Sequence, residues 1–383
     1  MSMTRQAFLA AAFGAVLAFP VLPAAAQSGG PILIGATVPI TGPLSLTGKQ
    51  YYNSLKMAEE DINAAGGISG RKISIAFEDT QASNSTAVNA FVKLAQETKP
   101  AFFFLSSYST QNLAVSPEVA KVGVPAVYAG GADVVSAAGN PWMFRIRPAD
   151  SVAARAMVLC AQTVLKVSKP GIIYIQNDFG QGGANVAVKQ FEAAGIKPVG
   201  VEAYGQNDKD FSAQMLSLRS KGADVILLFN YPQDGAMLLR QAKMLGLKMP
   251  VITSSAALVP AAMQLLTPAD LDNVWGVVDA FIDPSVGPRM KDFMTRYKAK
   301  FGVDADPYGL AYYDAALLVA EGMRKAGLEP KALRDWIAVT KDWPGIGHTF
   351  SYDAHGNGIF DLAIVKAKPG TKTLQLVQHV SVK

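Results

Sequence analysis

Short apolar runs alternate with stretches of helical period along most of this 383-residue chain, and no other feature restricts the fold so strongly. A strand buried on both faces reads as a continuous apolar run, and parallel neighbours need a helical crossover between them. The alternation therefore predicts βαβ units and parallel sheets. The clearest run, Phe102-Phe103-Phe104-Leu105, breaks at once into the hydroxyl-bearing Ser106-Ser107-Tyr108-Ser109-Thr110, and a helical pattern starts near Gln111. Ligands of open α/β sheets bind beyond the carboxyl ends of the strands. A helix start there offers unpaired N–H groups and positive potential, with serine hydroxyls as added donors. A small anionic ligand is expected at that strand end.

Strands are expected over 32–40, 72–77, 101–105 and 125–129. Between them lie a helix marked by Tyr51, Leu55, Ala58 and Ile62, stopped at Gly66-Gly67, and a second helix over 86–98. This half ends near 142–148, and the pattern restarts with a helix over 152–167. Strands 171–176, 198–203, 224–229, 250–253 and 274–281 then alternate with helices 184–194, 211–221 and 235–245, with a turn at Asn177-Asp178-Phe179-Gly180. The last hundred residues carry helices over 289–301, 311–326 and 333–339, then a β-rich tail whose His355-Gly356-Asn357-Gly358 suits a hairpin turn. Two α/β units of similar order indicate a duplicated lobe. The lack of a low-complexity linker fits closely apposed lobes, and roughly 150 residues per domain also predicts two.

Half of the residues are hydrophobic and 17% are charged, which supports sizeable cores and argues against disorder. Residues 1–26 read as a cleaved export signal: Arg5 is the basic end, 7–22 the apolar run, and Ala24-Ala25-Ala26 the small-residue site before Gln27. The run is short against the about 20 residues of a membrane span. A protein exported to the periplasm and cleaved near Ala26 is expected. Without Arg5 the balance is 34 basic to 30 acidic residues, spread with no block of five like charges, so a nucleic-acid role has little support. Cys160 is the single cysteine, among Val158, Leu159 and Ala161, and reads as a buried core thiol.

Catalytic patterns are weak. His348, His355 and His379 all fall in the tail, none at metal-ligand spacing from a second histidine or cysteine, and read as surface residues beside turns. There is no G-x-S-x-G elbow. Gly180-Gln181-Gly182-Gly183-Ala184-Asn185 follows a strand, with Glu202 about 20 residues on, and imitates a dinucleotide fingerprint. Asn185 occupies the third glycine position, however, so a turn that needs glycine geometry is the better reading. No enzyme, cofactor or metal is expected; an exported nucleotide-binding α/β enzyme is kept as an alternative.

Several motifs strongly resemble one family. They are Ile40-Thr41-Gly42-Pro43, Gly48, Ala58-Glu59-Glu60-Asp61-Ile62-Asn63, Gly66-Gly67-Ile68 and Gly70, with Ser107, Ser109-Thr110-Gln111, Asp210-Phe211-Ser212, Gly222-Ala223-Asp224-Val225, Leu239-Arg240-Gln241-Ala242, Asp353, Gly356 and Gly358. The chain resembles, over essentially 31–383, the periplasmic solute-binding proteins of ABC importers of the Leu/Ile/Val-binding type. That resemblance implies a type I periplasmic binding fold: two doubly wound parallel-sheet α/β lobes joined by three hinge crossings, near Arg147, Ala280 and Ser351. Lobe 1 would comprise 31–147 with 281–350, and lobe 2 148–280 with 351–383. It further implies a monomer that closes on a small ligand and is then recognised by an inner-membrane permease.

The resemblance also implies site residues. Ser107 matches the serine that holds the ligand carboxylate, with Leu105, Ser106 and Tyr108 beside it. Gly130 and Ala132, with Gly131 between them, match the next-strand positions that supply backbone groups. Phe179 and Tyr231 match aromatic positions across the cleft, Tyr308 a pocket-wall aromatic, and Thr47 completes the set. Two departures stand out. Ala132 replaces the threonine that serves the α-ammonium of amino-acid ligands, and Ser255 stands where the acidic partner of that ammonium belongs, with no Asp or Glu between Val251 and Thr267. A desolvated ammonium without an anionic partner would cost several kcal/mol. The expected ligand is therefore a carboxylate without an α-amino group, an aromatic or otherwise apolar organic acid. Branched-chain amino acids or small amides on the same scaffold are the alternative.

Overall fold

The structure is a computed structural model and describes residues 29–381. The expected export signal at 1–26 lies outside the described residues. The chain opens with β1 (Ile32–Val38), α1 (Ser45–Ala64), β2 (Ile73–Asp79), α2 (Asn84–Lys93), β3 (Phe103–Phe104), α3 (Ser109–Val122), β4 (Ala126–Tyr128), α4 (Asp133–Ala137) and β5 (Met143–Arg145). These five strands form one parallel sheet in the order β2-β1-β3-β4-β5. Side-chain alternation explains why β3 is apolar throughout. Phe102 and Phe104 enter the core on one face, while Phe103 and Leu105 enter the other beside Phe91, Val115 and Val119. Each such burial contributes about 1.5–3 kcal/mol.

The second lobe follows with α5 (Asp150–Leu159), β6 (Pro170–Ile175), α6 (Asp178–Ala193), β7 (Gly200–Tyr204), α7 (Ser212–Ser220), β8 (Val225–Phe229), α8 (Pro232–Met244), β9 (Val251–Ser254), α9 (Pro260–Met263) and β10 (Val274–Val278). The chain then rejoins the first core through α10 (Pro288–Phe301), α11 (Pro307–Ala326), α12 (Pro330–Ala338) and a small antiparallel sheet of β11 (Trp343–Pro344), β12 (Thr349–Tyr352) and β13 (Gly358–Ile359). It ends in the second lobe with β14 (Leu362–Ala367) and β15 (Leu374–Val380). The second sheet runs β15-β14-β10-β9-β8-β6-β7, parallel except where β14 and β15 add antiparallel. Its two faces carry separate apolar cores.

Several boundaries differ from the sequence expectations for identifiable reasons. The helix expected at 86–98 is regular to Lys93 and closes in a wide π turn over Leu94–Thr98, ended by Lys99 at φ 46°. The helix expected at 152–167 begins at Asp150 and ends in a similar turn over Cys160–Val164. The turn expected at 177–180 is the first turn of α6: Asn177 caps it by accepting from the Gly180 N–H at 3.0 Å. A polar cap and three glycines hide that start from apolar periodicity. Ser351 does not mark a crossing. It lies in β12, paired with Ile359, and Phe350, Tyr352 and Phe360 belong to the first core, so the chain crosses between Phe360 and Leu362.

Candidate functional site

A cleft lies where the carboxyl ends of both parallel sheets face each other. Thr47 and Tyr51 reach it from the first turns of α1, Ser107, Tyr108 and Ser109 from the loop into α3, and Ala129 and Gly131 from beyond β4. Arg147 lines it at the first crossing. The second lobe adds Phe179 from α6, Asn230, Tyr231 and Pro232 from the β8–α8 junction, and Ala256 beyond β9; Tyr308 comes from the first turn of α11.

The first lobe presents hydroxyls. Ser107 Oγ lies 2.6 Å from the Tyr51 hydroxyl, and Thr47 Oγ1 lies 3.1 Å from that of Tyr108. The N-cap position of α3 is Tyr108, which makes no side-chain cap, so the start of a 14-residue helix opens towards the cleft. Aromatic rings form the opposite wall. Phe179 and Tyr231 stack at 5.4 Å with planes 13° apart, and Tyr108 meets Tyr231 edge-on at 5.1 Å across the cleft. Asn177 Nδ2 donates to the Tyr231 hydroxyl at 3.2 Å. Desolvation pushes the phenols of Tyr51, Tyr108, Tyr231 and Tyr308 above their ordinary range, so they stand as neutral donors.

Arg147 is the charged member of the wall. Its Nε and Nη2 donate to the two oxygens of Asp279 at 2.7 and 3.2 Å, and Nη1 donates to Asp150 Oδ1 at 2.9 Å. Its guanidinium carbon lies 5.8 Å from the ring centre of Tyr308. Burial raises the Asp150 carboxyl above its usual range, against the pull of Arg147 and Arg145. Asp150 and Arg147 explain why position 131 is glycine: a Cβ there would stand 1.9 Å from Asp150 Oδ1 and 2.2 Å from Arg147 Nη1.

Of the positions expected from sequence, Thr47, Ser107, Tyr108, Gly131, Phe179, Tyr231 and Tyr308 line this cleft. The others are engaged elsewhere. Leu105 is core, and its carbonyl accepts from the Tyr312 hydroxyl. Ser106 accepts from the Tyr108 N–H at 3.2 Å through its own hydroxyl. The backbone donors expected at Gly130 and Ala132 are already used: Gly130 donates to Asn112 Oδ1 at 3.2 Å and Ala132 to Ser109 Oγ at 3.0 Å. Ser255 is buried and accepts from the Asp279 N–H at 3.0 Å, so Ala256 takes its expected place on the wall. His348 is not a surface side chain either. It stacks on Phe360 at 3.6 Å, and desolvation lowers it to about 4. Gly180 and Gly183 lie inside α6 against the Ile175 carbonyl and the Phe229 ring, so the segment that imitated a nucleotide loop is a close helix-to-sheet contact.

From sequence, Arg147 marks a hinge crossing and Tyr51 only the period of a helix. A signal for Arg147 exists in Phe144-Arg145-Ile146-Arg147-Pro148, where an arginine inside an apolar stretch needs a buried partner. Its partner Asp279 is 132 residues away and cannot be paired with it by pattern. Among the described residues, no group of three or more His, Cys, Asp or Glu is placed to hold a metal ion, and no helix is long and apolar enough to cross a membrane.

Comparison with known proteins agrees with this geometry. The family model described as periplasmic binding protein matches residues 31–372. The Leu/Ile/Val-binding protein homolog 8 of Brucella abortus is 28% identical over 342 residues, covering 84% of this chain and 83% of the relative. Among solved structures, the branched-chain amino acid transporter substrate binding protein LivJ from Streptococcus pneumoniae, in complex with isoleucine, has a TM-score of 0.82 at 22% identity, covering 91% of this chain and 99% of the other. A solute binding protein of an ABC transporter from Rhodopseudomonas palustris, in complex with 3,4-dihydroxybenzoic acid, has a TM-score of 0.83 at 20% identity, covering 92% and 97%. With the family match spanning nearly the whole described chain and both lobes superposing on these folds, the chain belongs to the periplasmic binding protein family and has its type I fold.

Proposed function

We propose that this protein is the extracytoplasmic substrate-binding component of an ABC importer and closes on a small aromatic or apolar organic acid without an α-amino group. One observation carries the ligand class: the residues that line the cleft include five aromatic rings and an arginine, and no Asp or Glu. The carboxylates behind that wall, Asp150 and Asp279, are already paired with Arg147, so an α-ammonium would be desolvated there without an anion of its own, at a cost of several kcal/mol. A carboxylate instead meets the Ser107 hydroxyl, neutral phenols and the open start of α3. The aromatic wall suits a flat apolar body, worth about 0.5–1.5 kcal/mol per stacked pair beyond area burial. The two solved relatives, one with isoleucine and one with an aromatic acid, mark the two ligand classes to be separated.

Thermal-shift titration with benzoate, cinnamate, leucine, isoleucine and valine makes that separation. A ligand at 100 times its Kd adds about 2.7 kcal/mol of stability, an easily read shift. Stabilisation by the acids is expected. Stabilisation by the amino acids alone would overturn the proposal.

A further inference from the structure

An arginine carries five N–H donors. Arg147 uses three of them, two on Asp279 and one on Asp150, and its side chain is 7% exposed. One remaining N–H sits on Nη1 and one on Nη2. Nη1 stands beside Gly131, itself a wall residue, and the guanidinium lies against the Tyr308 ring, another wall residue. Arg147 thus lines the cleft as a buried cation with two N–H groups that have no acceptor among the described residues, and buried donors are rarely left so.

The charge at this spot narrows what can meet them. Asp279 alone balances the guanidinium, and Asp150 adds a second carboxyl group within 2.9 Å of it. A further carboxylate brought here would face carboxylates already in place. An uncharged oxygen can accept both N–H groups with no such penalty. The ligand carboxylate has its own place among the hydroxyls at Ser107 and the start of α3.

We propose that Arg147 is a specificity-determining residue that donates to a second, uncharged oxygen of the ligand, so that the ligand is a monocarboxylic acid carrying a hydroxyl, ether or carbonyl oxygen away from its carboxylate. This rests on the organic-acid reading above. Asp150 and Asp279 act through Arg147, holding its plane so that the two spare donors face the cleft.

Calorimetry on the mature protein with benzoate, its 2-, 3- and 4-hydroxy and methoxy derivatives, terephthalate and leucine tests the inference. At least one oxygen-bearing monocarboxylate is expected to bind about tenfold or more tighter than benzoate. If benzoate binds and no oxygen-bearing acid improves on it, the role of Arg147 is overturned while the organic-acid reading stands. Tightest binding by terephthalate also overturns it, since the second group would then be charged. Binding by leucine and by no acid overturns both. Arg147→Lys keeps the positive charge and removes the planar spare donors, and should bring the affinity ratio to within about threefold. A purely structural role would weaken all acids alike and preserve the ratio. If that variant does not fold, the wild-type panel alone decides.

Discussion

Replacing Ser107 by alanine tests the carboxylate grip, and the structure sets the size of the effect. A hydroxyl has one hydrogen to give. Ser107 can donate to a ligand carboxylate when the Tyr51 hydroxyl, 2.6 Å away, donates to Ser107 Oγ. A hydrogen bond to a charged group is worth about 1.5–3 kcal/mol, which at 1.4 kcal/mol per tenfold gives about 10- to 150-fold weaker acid binding. The same substitution removes one hydroxyl partner of Tyr51, whose fully buried side chain also interacts with the Tyr108 hydroxyl. Losing that hydrogen bond costs the unliganded protein about 0.5–1.5 kcal/mol, at about 2–4 °C per kcal/mol in a lobe of this size. Tyr51→Phe combined with Ser107→Ala also gives up the Tyr108 contact and should recover none of the lost affinity. Calorimetric titration gives the affinity and scanning calorimetry the stability. An acid Kd within about threefold of wild type in a folded Ser107→Ala protein would remove Ser107 from the site.

Three further outcomes follow from particular contacts. Phe179→Leu removes the ring stacked on Tyr231 and should weaken aromatic acids by about 2- to 12-fold, from about 0.5–1.5 kcal/mol of ring interaction, while non-aromatic acids change less in the same titration. Gly131→Ala places a methyl group against Asp150 and Arg147; it should lower stability by about 1–3 kcal/mol and weaken acid binding, read by urea denaturation and calorimetry. The third concerns pH. Burial raises Asp314 to about 7, so the folded state holds a proton that the unfolded chain releases near 4. Its contribution to stability is complete below about 4 and lost as pH rises towards 7. Asp314→Asn, which can still accept from the Ile346 N–H, should therefore make the fall in unfolding free energy between about pH 5 and pH 7 shallower. Asp306, also raised by burial to about 7, keeps part of that slope in the variant. An unchanged slope would refute the assignment.

Legibility from sequence followed how locally each feature is encoded. The β3 run was plain because a strand buried on both faces must be apolar at every position. The start of α6 was hidden, since its first turn is a polar cap followed by glycines chosen for contact with Ile175 and Phe229 rather than for helix propensity. At the site, Ser107, Tyr108, Phe179 and Tyr231 occupy strand ends and helix starts, which alternation alone locates to within a residue or two. Gly130 and Ala132 occupy equally suitable positions, yet their N–H groups are given to Asn112 and Ser109. No sequence pattern records where a backbone N–H points.

By itself the sequence determined the βαβ alternation, the two-lobed order, a hydroxyl-rich strand end at 106–110 and a segment between Val251 and Thr267 without Asp or Glu, because burial writes its period directly into residue type. Tertiary structure decided the rest. It paired Arg147 with Asp279 across 132 residues, put Ala256 rather than Ser255 on the cleft wall, and moved the last crossing from Ser351 to Phe360 and Leu362. These are matters of direction and partnership between distant segments. They depend on how two lobes pack, and a one-residue rotation at a strand end reassigns which side chain meets the ligand.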